Sequence, residues 1–228
     1  MIIVVGGIKG GSGKTTVATN LAVMRARDGY DVLLIDADDQ ETSTDFTTLR
    51  NEKIEQGAGY TSIKLTGASV RTETHRLVDK YDDIIIDTGG RDTTSQRAAL
   101  TIANRVLVPF VPRSFDVWTL ERVGNLIEEI RAVNPNLEAL TFINRADPRG
   151  QDNDDAADVL QETKMLKFIS TPLGQRKAFS NAAAYGLGVC ELKPADSKAL
   201  QEIEKLYKYV FDILNISERN LKDTEEVV

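Results

Sequence analysis

Five short runs of apolar, mostly β-branched residues punctuate the chain: Ile2 to Ile8, Val32 to Ile35, Ile84 to Ile86, Val106 to Val111 and Leu140 to Ile143. A strand with one wet face alternates apolar and polar residues, whereas a run without polar breaks buries both faces. The intervening segments carry helical spacing. Val17 to Arg27 is one, and in Val117 to Val133 the residues Leu120, Val123, Leu126, Ile127 and Ile130 fall on one face. Strands buried on both sides and alternating with helices predict an α/β fold: a single-domain, doubly wound, mostly parallel sheet flanked by helices. The 228 residues, 41% of them hydrophobic, suit one core rather than two.

Leu200, Ile203, Leu206, Tyr207, Val210, Phe211 and Leu214 repeat at helical spacing, which predicts a last helix docked on the core. Residues 1–216 therefore read as the domain and the polar segment 217–228 as a flexible tail. Residues 37 to 60 and 146 to 155 are polar and poorly periodic and read as surface loops. Trp118 reads as a core residue. No stretch approaches the roughly 20 apolar residues of a membrane span, so a soluble, cytoplasmic protein is expected. A lone cysteine, Cys190, and a lone histidine, His75, exclude an internal disulfide and the usual self-contained zinc sets. The net charge of −7 opposes a surface uniformly coated for nucleic acid but leaves room for a local basic patch.

The first apolar run ends in a glycine loop, Lys9-Gly10-Gly11-Ser12-Gly13-Lys14-Thr15-Thr16. It does not meet the common phosphate-loop pattern G-x-x-x-x-G-K-[ST], because Ile8 occupies the first glycine's place. It meets the form K-G-G-x-G-K-[ST]-T. Glycines let backbone N–H groups turn towards phosphate oxygens, and the helix that follows adds its positive end. Lys14 is expected on the β- and γ-phosphates, Thr15 on Mg²⁺ and Thr16 at the α-phosphate.

That loop resembles the ParA/MinD family of deviant-Walker ATPases, and the resemblance extends over most of the chain. It is nearest to small ParA partition proteins without an N-terminal helix-turn-helix. In that family the lysine matching Lys9 reaches across a nucleotide-sandwich dimer to the partner's ATP, so the resemblance implies ATP-dependent homodimerisation; a solvated loop lysine is the plain alternative. Asp36 and Asp38 in Asp36-Ala37-Asp38-Asp39-Gln40 match the motif D-x-D-P-Q. By that match Asp36 organises the Mg²⁺ shell and Asp38 positions the attacking water, while Asp39 replaces the usual proline. Asp87 closes a second apolar strand and resembles the Walker B carboxylate, a Mg²⁺ residue, followed by Gly89-Gly90. Pro112 and Asp116 fall in a stretch similar to P-x-x-P-S-x-x-D near the nucleotide. Asn144 and Arg145 stand where the family recognises adenine, and Asp147 keeps guanine open as an alternative.

The resemblance implies a slow ATPase with ATP and Mg²⁺ as cofactors, stimulated by an adaptor or ParB-like partner. It also implies non-specific DNA binding by the ATP dimer, and hence nucleoid association. The DNA contacts would come from Arg176, Lys177, Lys193, Lys198, Lys205 and Lys208. A MinD-like membrane role is the first alternative, opposed by the acidic end Asp223-Thr224-Glu225-Glu226. A metabolic ATP-dependent amidase or ligase is the second.

Overall fold

The structure, a computed structural model, describes residues 1–112, 117–147 and 151–212. The apolar runs become strands β1 (Ile2–Val5), β2 (Val32–Ala37), β4 (Asp83–Thr88), β5 (Arg105–Phe110) and β6 (Glu138–Ala146), joined by β3 (Thr61–Lys64) and the two-residue strands β7 (Lys167–Phe168) and β8 (Leu173–Gly174). The sheet is parallel throughout, in the order β3-β2-β4-β1-β5-β6-β7, with β8 pairing the end of β6. Successive residues of β1 serve opposite cores: Ile2 and Val4 join one apolar cluster, Ile3 and Val5 the other. Hence the unbroken hydrophobicity.

Helices α1 (Lys14–Arg27), α7 (Lys177–Ala183) and α8 (Ser197–Val210) cover one face. Helices α3 (Ser69–Leu77), α4 (Thr94–Leu100), α5 (Val117–Arg131) and α6 (Asp152–Glu162) cover the other. Helix α1 is buried along Val17–Met24, so it is a core helix rather than an amphipathic one. Helix α8 buries Ala199, Ile203, Leu206, Tyr207 and Val210 and is capped by Asp196, whose carboxylate accepts from the Ala199 amide at 3.0 Å. Such a cap is worth about 1 kcal/mol. The segment 217–228 lies outside the described residues.

Three expectations are corrected. Segment 37–60 is not all loop: helix α2 (Thr42–Lys53) lies within it. Its inward residues are Ser43, Phe46, Thr47 and Arg50, so the helical period is present but written mostly in polar side chains. Thr47 and Arg50 are satisfied internally, the Thr47 hydroxyl donating to the Ser43 carbonyl at 2.8 Å. Arg50 donates to the carbonyls of Ala58 and Gly186 at 2.8 Å and forms a fork with Glu191 at 2.7 and 2.8 Å. Helix α6 likewise starts within the predicted loop 146–155, with Asp152, Asp154 and Asp155 in its first turn, where acids favour a helix. Trp118 is not core: it is 78% exposed at the start of α5.

Candidate functional site

The connection leaving β1 turns through Gly6 and Gly7 and enters α1 at Lys14, with Gly11 at φ +73° and Gly13 at φ +88°. Both angles lie in the left-handed region, where only glycine is unstrained. The loop backbone is thereby drawn into a cradle at the amino end of α1. Lys14 is 6% exposed, and its ammonium donates to the Lys9 carbonyl at 2.9 Å. Burial lowers its pKa, opposed by the charges of Asp87 and Asp38.

Asp36 and Asp87 are direct neighbours across the pairing of β2 with β4, and both are fully buried. Asp36 spends its carboxylate on structure. One oxygen accepts from the Asp38 amide at 3.1 Å, the other from the Thr44 amide at 2.8 Å and the Thr44 hydroxyl at 2.7 Å. It thus fixes the Asp38 loop onto the start of α2. Asp87 is different: neither oxygen completes a hydrogen bond among the described residues. Its carboxyl is pushed up to about 7 by burial, with the Asp36 charge adding. The Thr15 and Ser43 hydroxyls and Lys14 pull the other way, the hydroxyls approaching without ordinary hydrogen-bond geometry. A buried, unsatisfied carboxylate beside a threonine hydroxyl suits a hydrated divalent cation.

Beyond Asp87 the chain presses onto this cradle. A Cβ on Gly90 would lie 2.5 Å from the Gly10 Cα and 2.6 Å from its nitrogen, and one on Gly89 would lie 2.9 Å from the Asp38 carboxylate. Gln96 ties the same loop to β1. Its side-chain oxygen accepts from the Gly7 amide and the Thr88 hydroxyl, both at 3.0 Å. Sequence motifs do not reveal Gln96, Thr88 or Thr44, because they touch main chain and neighbouring side chains rather than ligand.

Two clefts meet here. The first, about 780 Å³, is lined by Gly10, Gly11, Gly13, Lys14, Thr15, Thr16, Asp38, Asp39, Gly89, Gly90, Arg91 and Arg145, among others. The second, about 830 Å³, shares Gly13, Thr16 and Arg145 with it and adds Asn144, Asp147, Leu173, Gln175, Arg176 and Phe179. A ligand with a polyanionic end and a flat apolar end fits across both. Asn144 turns inward, its amide donating to the Ser12 carbonyl at 2.7 Å, so it steadies the phosphate loop. Arg145 sits on an irregularity between the pairings of Asn144 and Ala146 with β8, at φ +55°, a left-handed angle rare outside glycine. That kink lets Arg145 line both clefts. Pro112 is buried beyond β5, and Asp116 lies outside the described residues.

Of the cations expected at a DNA surface, Lys177, Lys193, Lys198, Lys205 and Lys208 are exposed. Arg176 is committed instead to Glu202, at 2.9 and 2.5 Å, and lines the second cleft. Among the described residues no helix is long and apolar enough to cross a membrane.

A glycine cradle at the amino end of a helix, with acidic strand ends beside it in a parallel sheet, defines the P-loop class of nucleotide-binding proteins. Residues 3–189 match the CbiA family, the CobQ/CobB/MinD/ParA nucleotide binding domain, and the chain belongs to that family. It is 24% identical over 210 residues to Maintenance of carboxysome distribution protein A of Halothiobacillus neapolitanus, covering 91% of this chain and 95% of that one. It is 30% identical over 164 residues to the chromosome-partitioning ATPase Soj of Thermus thermophilus, covering 59% and 65%. The fold matches the Cyanothece McdA–ATP complex with a TM-score of 0.76 at 18% identity, over 92% of this chain and 96% of that one. Its relatives are thus ParA-, Soj- and McdA-type proteins.

Proposed function

We propose that the chain is a positioning or partition ATPase that dimerises face to face on ATP and is reset by slow hydrolysis. The observation that carries this reading is the placement of the two lysines. Lys14 lines the phosphate cleft, whereas Lys9 lines a separate crevice with Val108, Phe110 and Thr119. A lysine outside the lining of its own subunit's phosphate cleft supports a role at another subunit's nucleotide, as an arginine finger has.

Within each subunit, the backbone of Gly10–Gly13 and the Lys14 ammonium would hold the β- and γ-phosphates. Asp87 and the Thr15 hydroxyl would hold Mg²⁺, which when bound neutralises charge on the transferring group. Asp38 would orient water against the γ-phosphorus. A new bond forms between that water oxygen and phosphorus, and the bond to the β-phosphate oxygen breaks, leaving ADP and phosphate. Asp36 holds Asp38 in place for this step. The flat end of the nucleotide would lie between Leu173 and Phe179, with Arg145 and Asp147 at its edge; Asp147 leaves guanine as the competing base.

The exposed lysines Lys177, Lys193, Lys198, Lys205 and Lys208 supply a sequence-independent surface for duplex DNA in the ATP state. An adaptor protein stimulating hydrolysis completes the cycle. Sedimentation of the Asp38→Ala variant tests the core of the proposal: a dimer with ATP and Mg²⁺ and a monomer with ADP are expected. A monomer in both would overturn it. Retention of duplex DNA only with ATP, and lost on raising salt, is the expected companion result.

A further inference from the structure

Arg91 follows Gly89 and Gly90 and reaches the phosphate cleft alongside Lys14, Thr15, Asp38 and Thr93. Its place is set from both sides. On one side Gly90 lies against Gly10 so closely that no side chain fits between them. On the other, Asp92 is gripped by Arg97, whose Nε and Nη2 each donate to a carboxylate oxygen at 2.7 Å. Arg97 is itself tied to Glu129 at 2.7 Å. Thr93 then caps α4, accepting from the Gln96 amide at 3.2 Å. The loop is pinned before and after Arg91, so the main chain that carries this residue is held at the rim of the cleft.

The two neighbouring arginines differ in use. Arg97 is saturated by acids, whereas Arg91 is exposed and makes no hydrogen bond or ion pair with another described residue. It also faces a cleft with carboxylates from Asp38 and Asp39 on its lining, where an added polyanion needs cations. Lys14 contributes a point charge from within the loop. A planar guanidinium brings a fork of donors that matches terminal phosphate oxygens.

We infer that Arg91 is a specificity-determining residue that grips the terminal phosphate of a triphosphate in its own subunit's cleft and so separates triphosphate from diphosphate. The inference rests on the nucleotide-binding part of the function proposed above and adds the residue that reads the nucleotide state. Because Gly90 packs on the phosphate loop, a grip at Arg91 also draws the loop after β4 towards the ligand.

The test is equilibrium binding of fluorescent ATPγS and ADP, with Mg²⁺, to the wild-type chain, Arg91→Ala and Arg91→Lys. Protein is kept well below the concentration of self-association. Arg91→Ala is expected to weaken ATPγS by about 10-fold or more, the size of one charge-assisted hydrogen bond. ADP affinity is expected to stay within about 2-fold, with Arg91→Lys in between, because lysine keeps the charge and loses the fork. An equal loss for both nucleotides, or none, overturns the inference. So does a loss seen only where the protein self-associates, which would put the guanidinium on the other subunit's nucleotide. If the wild-type chain bound neither nucleotide, the parent proposal would fall; normal wild-type binding with unchanged discrimination in Arg91→Ala would remove this inference alone.

Discussion

At the phosphate-loop end of the cleft, Gly90 sets main chain against the main chain of Gly10, while Gly13 abuts the Asn144 side chain and Gly89 the Asp38 carboxylate. At the end proposed for the base, Leu173, Phe179, Arg145 and Arg176 close the space with side chains. On the function proposed above, the first region would recognise a charge pattern that every nucleotide shares, and at Gly13, Gly89 and Gly90 it leaves no room for an added atom. The second is adjustable by rotamer and substitution. On that proposal, chemistry and nucleotide state would be controlled at the first end, and base preference at the second.

The largest expected effect separates turnover from binding at the phosphate end. Asp38→Ala should lower the ATP hydrolysis rate by roughly 10² to 10⁴, the usual contribution of a group that orients or deprotonates water, with nucleotide affinity little changed. Steady-state phosphate release and equilibrium binding measure the two quantities. Arg50 is the strut between the ends: it lies on α2, which follows the Asp38 loop, and holds the Gly186–Glu191 segment. Arg50→Met removes the cation hydrogen-bonded to Glu191 and leaves Arg27 as the nearby charge, and chemical denaturation should show a loss of about 1–3 kcal/mol.

Gly90→Ala sharpens the contrast, since its methyl group must displace Gly10. Affinity for ATP should fall by roughly 10- to 100-fold, corresponding to an overpacking cost of about 1–3 kcal/mol, while a melting curve stays cooperative. Phe179→Ala at the base end should cost about 10-fold in affinity for ATP and ADP alike, leaving their ratio unchanged. Equal sensitivity of the ratio to both substitutions would dissolve the division of labour. Displacement of labelled ATP by GTP reads the base preference directly.

The smallest effect depends on pH. Burial pushes the Glu191 carboxyl up, but the hydrogen bonds from Arg50 and the Gly188 amide, with the charges of Arg50 and Arg27, together hold it below its ordinary value of 4.5. A depressed folded pKa means that this stabilisation is present above the ordinary carboxylate range and is lost as pH falls through the lower, folded value. Glu191→Gln should therefore narrow the difference in melting temperature between neutral and acidic buffer.

Much of the scaffold was legible because burial on both faces leaves an unmistakable trace. The runs around Ile3, Leu34, Ile85 and Leu107 could only be central strands, and acidic residues at two of their carboxyl ends marked a site. The glycine loop was legible for a related reason, since backbone turned towards phosphate requires glycine at set positions. What stayed hidden uses polar residues inward. Helix α2 buries Ser43, Thr47 and Arg50, which read as loop composition. Strand β3 at the sheet edge leaves Thr61 and Lys64 exposed and has no apolar run to announce it. Asn144 carries no sequence mark saying whether it faces the ligand or the loop, and it turns to the loop. Trp118 shows the opposite failure, a large apolar side chain that the chain leaves in water.

The margins of the sheet bear on how copies of this chain can meet. On one side it ends in four-residue β3, whose Lys64 pairs with Glu41, and on the other in two-residue β7. Short, charged borders offer little template for adding a foreign strand. Growth into filaments by lateral ribbon extension is thereby discouraged, and on the function proposed above the joining of two copies would fall instead to the rim where the loops gather.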